Sequence, residues 1–172
     1  MIRECFQRRA VRRAFSRCIS PEALDALLSG QLSDPDALSL HNGEIGYVLA
    51  WVRGDSAEQI SKRMGRTAEI AAYYGGITDC MISGLIVVCF GTLQVANPQP
   101  QDRSGLVAQL IQEYGEDIKL VHGTSWGHYG NLGGPKRMAY SFVLSEFERA
   151  LGRLCTLQFG QTEEYSTLQK SA

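Results

Sequence analysis

Apolar positions along the chain change period several times, and each change marks an element. Residues 3–18 place Val11, Ala14, Phe15 and Cys18 at helical spacing among arginines, which predicts a basic amphipathic helix. Ser20, Pro21 and Glu22 form a helix start. Leu24, Leu27 and Leu28 supply its apolar face and Gly30 its stop. A polar loop over 31–43 leads to the apolar run 45–52 (IGYVLAWV), a mostly buried strand. Arg53, Gly54 and Asp55 turn the chain. Ser56 and Gln59 then make a capping box for a helix reaching Tyr74, with Ala57, Ile60, Met64, Ala68 and Ala71 as its inner stripe. After Gly75 and Gly76, residues 77–82 and 85–90 read as a hairpin about Ser83 and Gly84. The second strand is apolar throughout, as a central strand covered on both faces would be.

A polar loop over 97–103 precedes a third helix, capped by Ser104, with Leu106, Val107, Leu110, Ile111 and Tyr114 inward and Gly115 at its end. Residues 118–122 and 126–129 read as two strands and 139–144 as another. Ser145 with Glu148 opens a last helix carrying Phe147, Leu151 and Leu154, and the polar tail from Gln161 reads as frayed. Between strands lies GNLGGPKRMAY, residues 130–140. Gly130, Gly133 and Gly134 permit a sharp turn, Pro135 fixes φ, and Lys136 and Arg137 put two cations at the exit. Those cations fit either a solvated turn or an anion contact; the spacing matches neither a P-loop nor a dinucleotide fingerprint. The order of elements predicts an α+β, ferredoxin-like (split βαβ) sheet with helices packed on one face, plus an N-terminal helical segment. The expected division is 1–43 for the N-terminal helices, 44–160 for the sheet domain and 161–172 for the tail.

Composition narrows the function. The 172 residues are 44% hydrophobic and 20% charged, with a net charge of −1, which argues against a nucleic-acid binder. Residues 1–18 hold six arginines against Glu4, about +5, and leave the remainder near −6. That contrast makes the first helix either a solvated face or an arm for an acidic partner or membrane surface. Five cysteines (Cys5, Cys18, Cys80, Cys89 and Cys155) include no CxxC and read as reduced thiols of a cytoplasmic protein. Neither a signal peptide nor a run of transmembrane length is visible.

Four blocks, in order, resemble the class III nucleotidyl cyclases, the adenylate and guanylate cyclase catalytic domain. VRRAFSRCISPEALDALLSG (11–30) is similar to the linker segment that precedes many bacterial cyclase domains. VLAWVRG (48–54) is similar to the first strand. GGITDCMISGLIVVCFG (75–91) is similar to the hairpin that follows, and GNLGGPKRMAYSFVLSEFERALGRL (130–154) to the glycine turn, strand and helix. The resemblance runs from Val11 to Leu154 and implies that fold, a dimer, and cyclisation of a nucleoside triphosphate with two divalent metals.

Position by position, the implied chemistry is missing. The metal-binding aspartates fall on Trp51 and on Gly84, or on Ser83 if the hairpin shifts by one. The base-selecting lysine falls on Cys80, and the second base-recognition position falls within 142–145, where no acid stands at the matching place. The transition-state asparagine falls on Glu148 and the phosphate arginine on Gly152. Arg149 and Arg153 lie nearby on the same helix, but a one-residue offset turns a side chain by about 100°. Asp55 and Asp79 are near in sequence and off register.

The resemblance therefore implies a catalytically inactive cyclase-like protein, acting as a dimerising regulatory or interaction module. No cofactor is expected. Its partner would be a second copy or another cyclase-type domain, met through Trp51, the 118–144 strands and the N-terminal helix. Two alternatives stay open. One is an active cyclase using off-register residues or a heterodimer partner, with Mg or Mn. The other is a non-catalytic nucleotide or small-ligand sensor. His41, His122 and His128 have no acid or cysteine at metal-ligand spacing, so no metal site is expected. Trp51 and Trp126 read as core or interface aromatics.

Overall fold

The computed structural model describes residues 40–91, 102–134 and 137–166, with side chains outside 131–140. The two N-terminal helices, the 97–101 part of the polar loop, and the side chains of Lys136 and Arg137 lie outside the described residues.

The run that reads as a buried strand becomes β1, His41–Val52, at the centre of the sheet. Its side chains alternate. Ile45, Tyr47 and Leu49 enter one core cluster; Val48, Ala50 and Val52 enter the other. Helix α1, Ala57–Tyr73, follows, then the hairpin of β2, Ile77–Ile82, and β3, Leu85–Phe90. Helix α2, Arg103–Tyr114, leads through a 3-10 turn to β4, Ile118–Gly134. Strand β5, Arg137–Leu144, helix α3, Phe147–Thr156, and a short β6, Thr162–Glu164, complete the chain. The sheet order is β2-β3-β1-β4-β5, antiparallel throughout, and β6 joins β4 in parallel. Each of the units β1-α1-β2 and β3-α2-β4 joins parallel strands across an intervening antiparallel one, which is the split βαβ arrangement.

The helices do not share one face. Ile70 and Ala71 of α1 and Leu106, Val107 and Leu110 of α2 pack on Val48, Ala50, Val52, Ile86, Val88, Ile118 and Leu120. On the opposite face, Ala150 and Leu154 of α3 pack on Tyr47, Leu49, Val87, Cys89 and Val121. A central strand apolar on both faces needs both covered, and each fully buried aliphatic side chain contributes about 1.5–3 kcal/mol.

Several local expectations are corrected. The strands expected over 118–122 and 126–129 are one continuous strand. Glycines inside it mark close approach rather than a break. A Cβ at Gly123 would collide with the Tyr165 carbonyl, and one at Gly127 would lie 2.5 Å from the Val143 carbonyl oxygen. The first residues of the tail expected to fray from Gln161 instead pair as β6, and 167–172 lie outside the described residues. Leu120 N–H donates to the Gln161 carbonyl, and Tyr165 N–H to the His122 carbonyl. Ser56 does cap α1, accepting from Gln59 N–H, but the Gln59 side chain accepts from Asp55 N–H. The inner stripe of α1 turns toward Thr67, Ile70 and Ala71, leaving Ala57 exposed. Thr67 is tolerated there because its hydroxyl donates to the Arg63 carbonyl. Asp102, not Ser104, caps α2 through Gly105 N–H, and Ile111 is exposed. No side-chain cap forms at Ser145; Glu146 holds that place on α3.

Candidate functional site

The C-terminal end of β1, the tip of the β2–β3 hairpin and the start of β4 meet on the α3 side of the sheet. Register puts Trp51 between Leu85 on β3 and Lys119 on β4. The hairpin turns through two left-handed residues, Ser83 at φ 50° and Gly84 at φ 89°. Gly84 is buried, its carbonyl accepting from Val52 N–H at 3.0 Å. A Cβ there would lie 2.5 Å from the Val52 carbonyl oxygen and 3.2 Å from Trp51 Cδ1 and Nε1. The two positions matched to metal aspartates are thus in contact, and the indole lies against the backbone of the turn.

Lys119 closes the same corner. It is only 8% exposed. Its ammonium donates to the Leu157 carbonyl at 3.2 Å and the Cys155 carbonyl at 3.5 Å, at the end of α3. It also stands 5.0 Å from the Trp51 ring centroid and 5.3 Å from that of Phe159. The guanidinium of Arg53 covers Phe159 at 5.0 Å and bonds Asp117 at 2.8 Å, and Arg63 bonds the other Asp117 oxygen at 2.9 Å. Arg53 first and Arg63 second hold the Asp117 carboxyl below the usual carboxylate range.

This donor set does not suit a hard divalent cation, which needs several anionic oxygens. At the two aspartate positions stand an indole and a glycine, with an ammonium beside them. Among the described residues no three His, Cys, Asp or Glu side chains gather as metal ligands. Asp55 lies in the turn before α1. Asp79 sits at the β2 bulge beside the Thr78–Val88 pair, three β3 residues or about 10 Å from the hairpin tip. The structure does not bring these two carboxylates together at Trp51.

At the other end of this face, Asp79 accepts from the Ser141 hydroxyl at 2.6 Å, which joins β2 to β5. Burial raises the Asp79 carboxyl above its usual value, and the Ser141 bond works against that rise. Cys80 is partly buried against the same core and Phe142 reaches it from β5. Cys89 beneath them is buried, which pushes its thiol well up, with Asp79 adding to the rise. Cys80, Cys89 and Cys155 are free thiols.

On α3, Glu148 and Gly152 face outward, and a Cβ at Gly152 would meet nothing within 4 Å. Arg149 bonds Glu146 at 2.9 Å. Arg153 pairs with Glu163 at 3.6 Å and lies over the Tyr165 ring. His41 and His128 sit diagonally on the paired strands β1 and β4, but on opposite faces of the sheet. His41 stacks on Tyr129 and His128 is exposed. His122, six residues before His128, is about 20 Å from it along the strand. Trp126 is 52% exposed, so it is not a core residue.

Lys119, Phe159 and Tyr165 were not singled out in the sequence. The one signal was a lysine inside the apolar run IKLV, at a position a buried strand would cover on both faces.

No protein-family model and no curated protein matches the chain. Solved structures do. The guanylyl cyclase Cya2 aligns with a TM-score of 0.52 at 19% identity, over 71% of this chain and 74% of its own. The adenylyl cyclase CyaB from P. aeruginosa gives 0.52 at 18% identity, over 73% and 78%. A non-canonical dimeric guanylyl cyclase domain of the RhoGC fusion protein from the aquatic fungus Blastocladiella emersonii gives 0.51 at 12% identity, over 71% and 79%. The split βαβ sheet and these alignments agree: the chain has the fold of the class III adenylyl and guanylyl cyclase catalytic domain.

Proposed function

We propose that this chain is a catalytically inactive cyclase-like domain that dimerises and acts as a regulatory or interaction module in the cytoplasm. The observation that supports it most is the contact between Trp51 and Gly84 beside the buried Lys119 ammonium. Two metals and a triphosphate call for carboxylates where this chain has an indole, a glycine backbone and a cation. The module needs neither Mg nor Mn. Reading Asp55, Asp79, Arg149 and Arg153 as off-register replacements has less support. The carboxylates lie apart, and each arginine already holds a glutamate.

Dimerisation would use β4 and β5, where Trp126 and Val143 are 52% and 56% exposed. A guanylyl cyclase domain of the same fold from Blastocladiella emersonii forms a non-canonical dimer, which supports pairing by this fold without saying which strands pair. Among the described residues no helix is long and apolar enough to cross a membrane. The test is direct. Purified protein with Mn or Mg and ATP or GTP should form no cyclic nucleotide above a no-enzyme control, and any formation overturns the reading. Sedimentation equilibrium should give a dimer that Trp126→Asp converts to monomer; a wild-type monomer removes the self-pairing.

A further inference from the structure

We infer that the corner formed by Trp51, Phe159 and the carbonyls of Cys155 and Leu157 is an alkylammonium cage, which Lys119 fills from within the chain. As an account of the same cleft, it rests on the non-catalytic reading above. A lysine 8% exposed is normally met by a carboxylate, because an unpaired charge is expensive to bury. Among the described residues none pairs with Lys119. Its compensation comes instead from two aromatic faces, at 5.0 and 5.3 Å, and two carbonyl oxygens, at 3.2 and 3.5 Å. Aromatic faces with carbonyl oxygens are the chemistry that recognises a primary alkylammonium. The carbonyls belong to the C-terminal end of α3, whose dipole favours a cation.

The cage is assembled from distant parts of the chain. Trp51 lies beside Gly84, where an added Cβ would come within 3.2 Å of the indole. Phe159 is held by Gly160 N–H on the Ile118 carbonyl, at 2.7 Å, and by the start of β6. The ammonium therefore fastens the C-terminal segment and the end of α3 to the sheet, and it occupies the corner with a positive charge that repels divalent cations.

The test removes the side chain and returns it as a free molecule. In Lys119→Ala the lost atoms are those of n-propylammonium. That ion should raise the melting temperature of Lys119→Ala saturably, by mass action, and leave the wild type unmoved. The neutral isostere 1-propanol should not do so, nor should n-propylammonium act on Lys119→Ala combined with Trp51→Leu. An equal rise in wild type, or an equal effect of 1-propanol, overturns the cage.

Should Lys119→Ala fail to fold, the wild type decides by NMR. The Lys119 ε-methylene protons should be shifted upfield by the two rings and return toward ordinary values in Trp51→Leu. Unshifted resonances in the wild type overturn the proposal, and so does Mn broadening of the Trp51 indole signal. Cyclic-nucleotide formation by protein with the shifted signal would instead remove the inactive reading and leave the cage standing.

Discussion

The two faces of the sheet are built differently. On the α1/α2 face, two helices of 17 and 12 residues bury an almost wholly aliphatic cluster from Val48 to Leu120. On the other face a 10-residue helix and the C-terminal segment close over a mixed set: Tyr47, Cys89, Trp51, Cys80 and Lys119. Polar ties finish that closure, with the Tyr47 hydroxyl on the Tyr165 carbonyl and the Lys119 ammonium on the end of α3. The first face is held by buried area. The second depends on particular pairings, and Trp51 and Gly84, the positions that the sequence resemblance matches to metal aspartates, lie on it.

The largest effect should come from cutting the first face. Leu110→Ala, at a fully buried site between two helices and the sheet, should cost about 2–5 kcal/mol in urea unfolding. Leu154→Ala should cost less, because the single short helix that carries it can settle toward the sheet. Equal losses would remove the asymmetry. Next comes a contrast between two of the positions matched by the resemblance. Gly84→Asp puts a side chain at φ 89° and 2.5 Å from the Val52 carbonyl oxygen, which should cost about 1–3 kcal/mol. Gly152→Arg enters open space on an exposed helix and should gain up to about 1 kcal/mol. If Gly84→Asp proves neutral, the hairpin tip is looser than its contact with Trp51 implies.

Much of the scaffold was legible because it is local. The Ser83 and Gly84 turn, the Ser56 cap and the apolar runs of β1 and β3 are each written in a few adjacent residues. The glycines of β4 misled for a physical reason. Gly123 and Gly127 look like breaks, yet they exist to admit the backbone of Tyr165 and of Val143, which no local pattern reveals. The family blocks single out Trp51 and Gly84, and the structure puts the two side by side. Their closure was not legible, because it joins Trp51, Lys119 and Phe159 across more than a hundred residues. The sequence does not tell which face α3 covers, because an amphipathic helix records that it has an apolar stripe, not which side of a sheet receives it.

Smaller effects should appear in pH dependence. Burial raises the Asp79 carboxyl, so the folded state holds its proton more tightly than the unfolded chain does. Stability from this group is full below the unfolded value and is lost as pH rises through the folded one. Asp79→Asn can still accept from Ser141. Relative to wild type it should be more stable at neutral pH than in acid, by urea titration at each pH. A difference that does not change with pH would place the carboxylate in solvent and loosen the tie between β2 and β5.

His122 gives the opposite sign on the opposite face. It lies on the α1/α2 side, two residues beyond Leu120, with its Nδ1 buried and without a hydrogen-bond partner among the described residues. Burial lowers its pKa, and the Arg103 guanidinium lowers it further against the pull of Glu164. Arg103 is itself fixed on the Gly123 carbonyl and Thr124 Oγ1, at 2.5 and 2.7 Å, so it cannot easily move away. The folded state therefore prefers neutral imidazole. Its contribution is present above the ordinary histidine value of about 6.5 and is lost as pH falls through the lower folded one. Across that window wild-type stability should drop more than that of His122→Gln. Arg103→Gln should narrow the drop by removing the opposing charge. An imidazole titration by NMR at or above 6.5 would show that the aliphatic face admits a charge at this edge, and the contrast between the two faces would then be smaller than their packing implies.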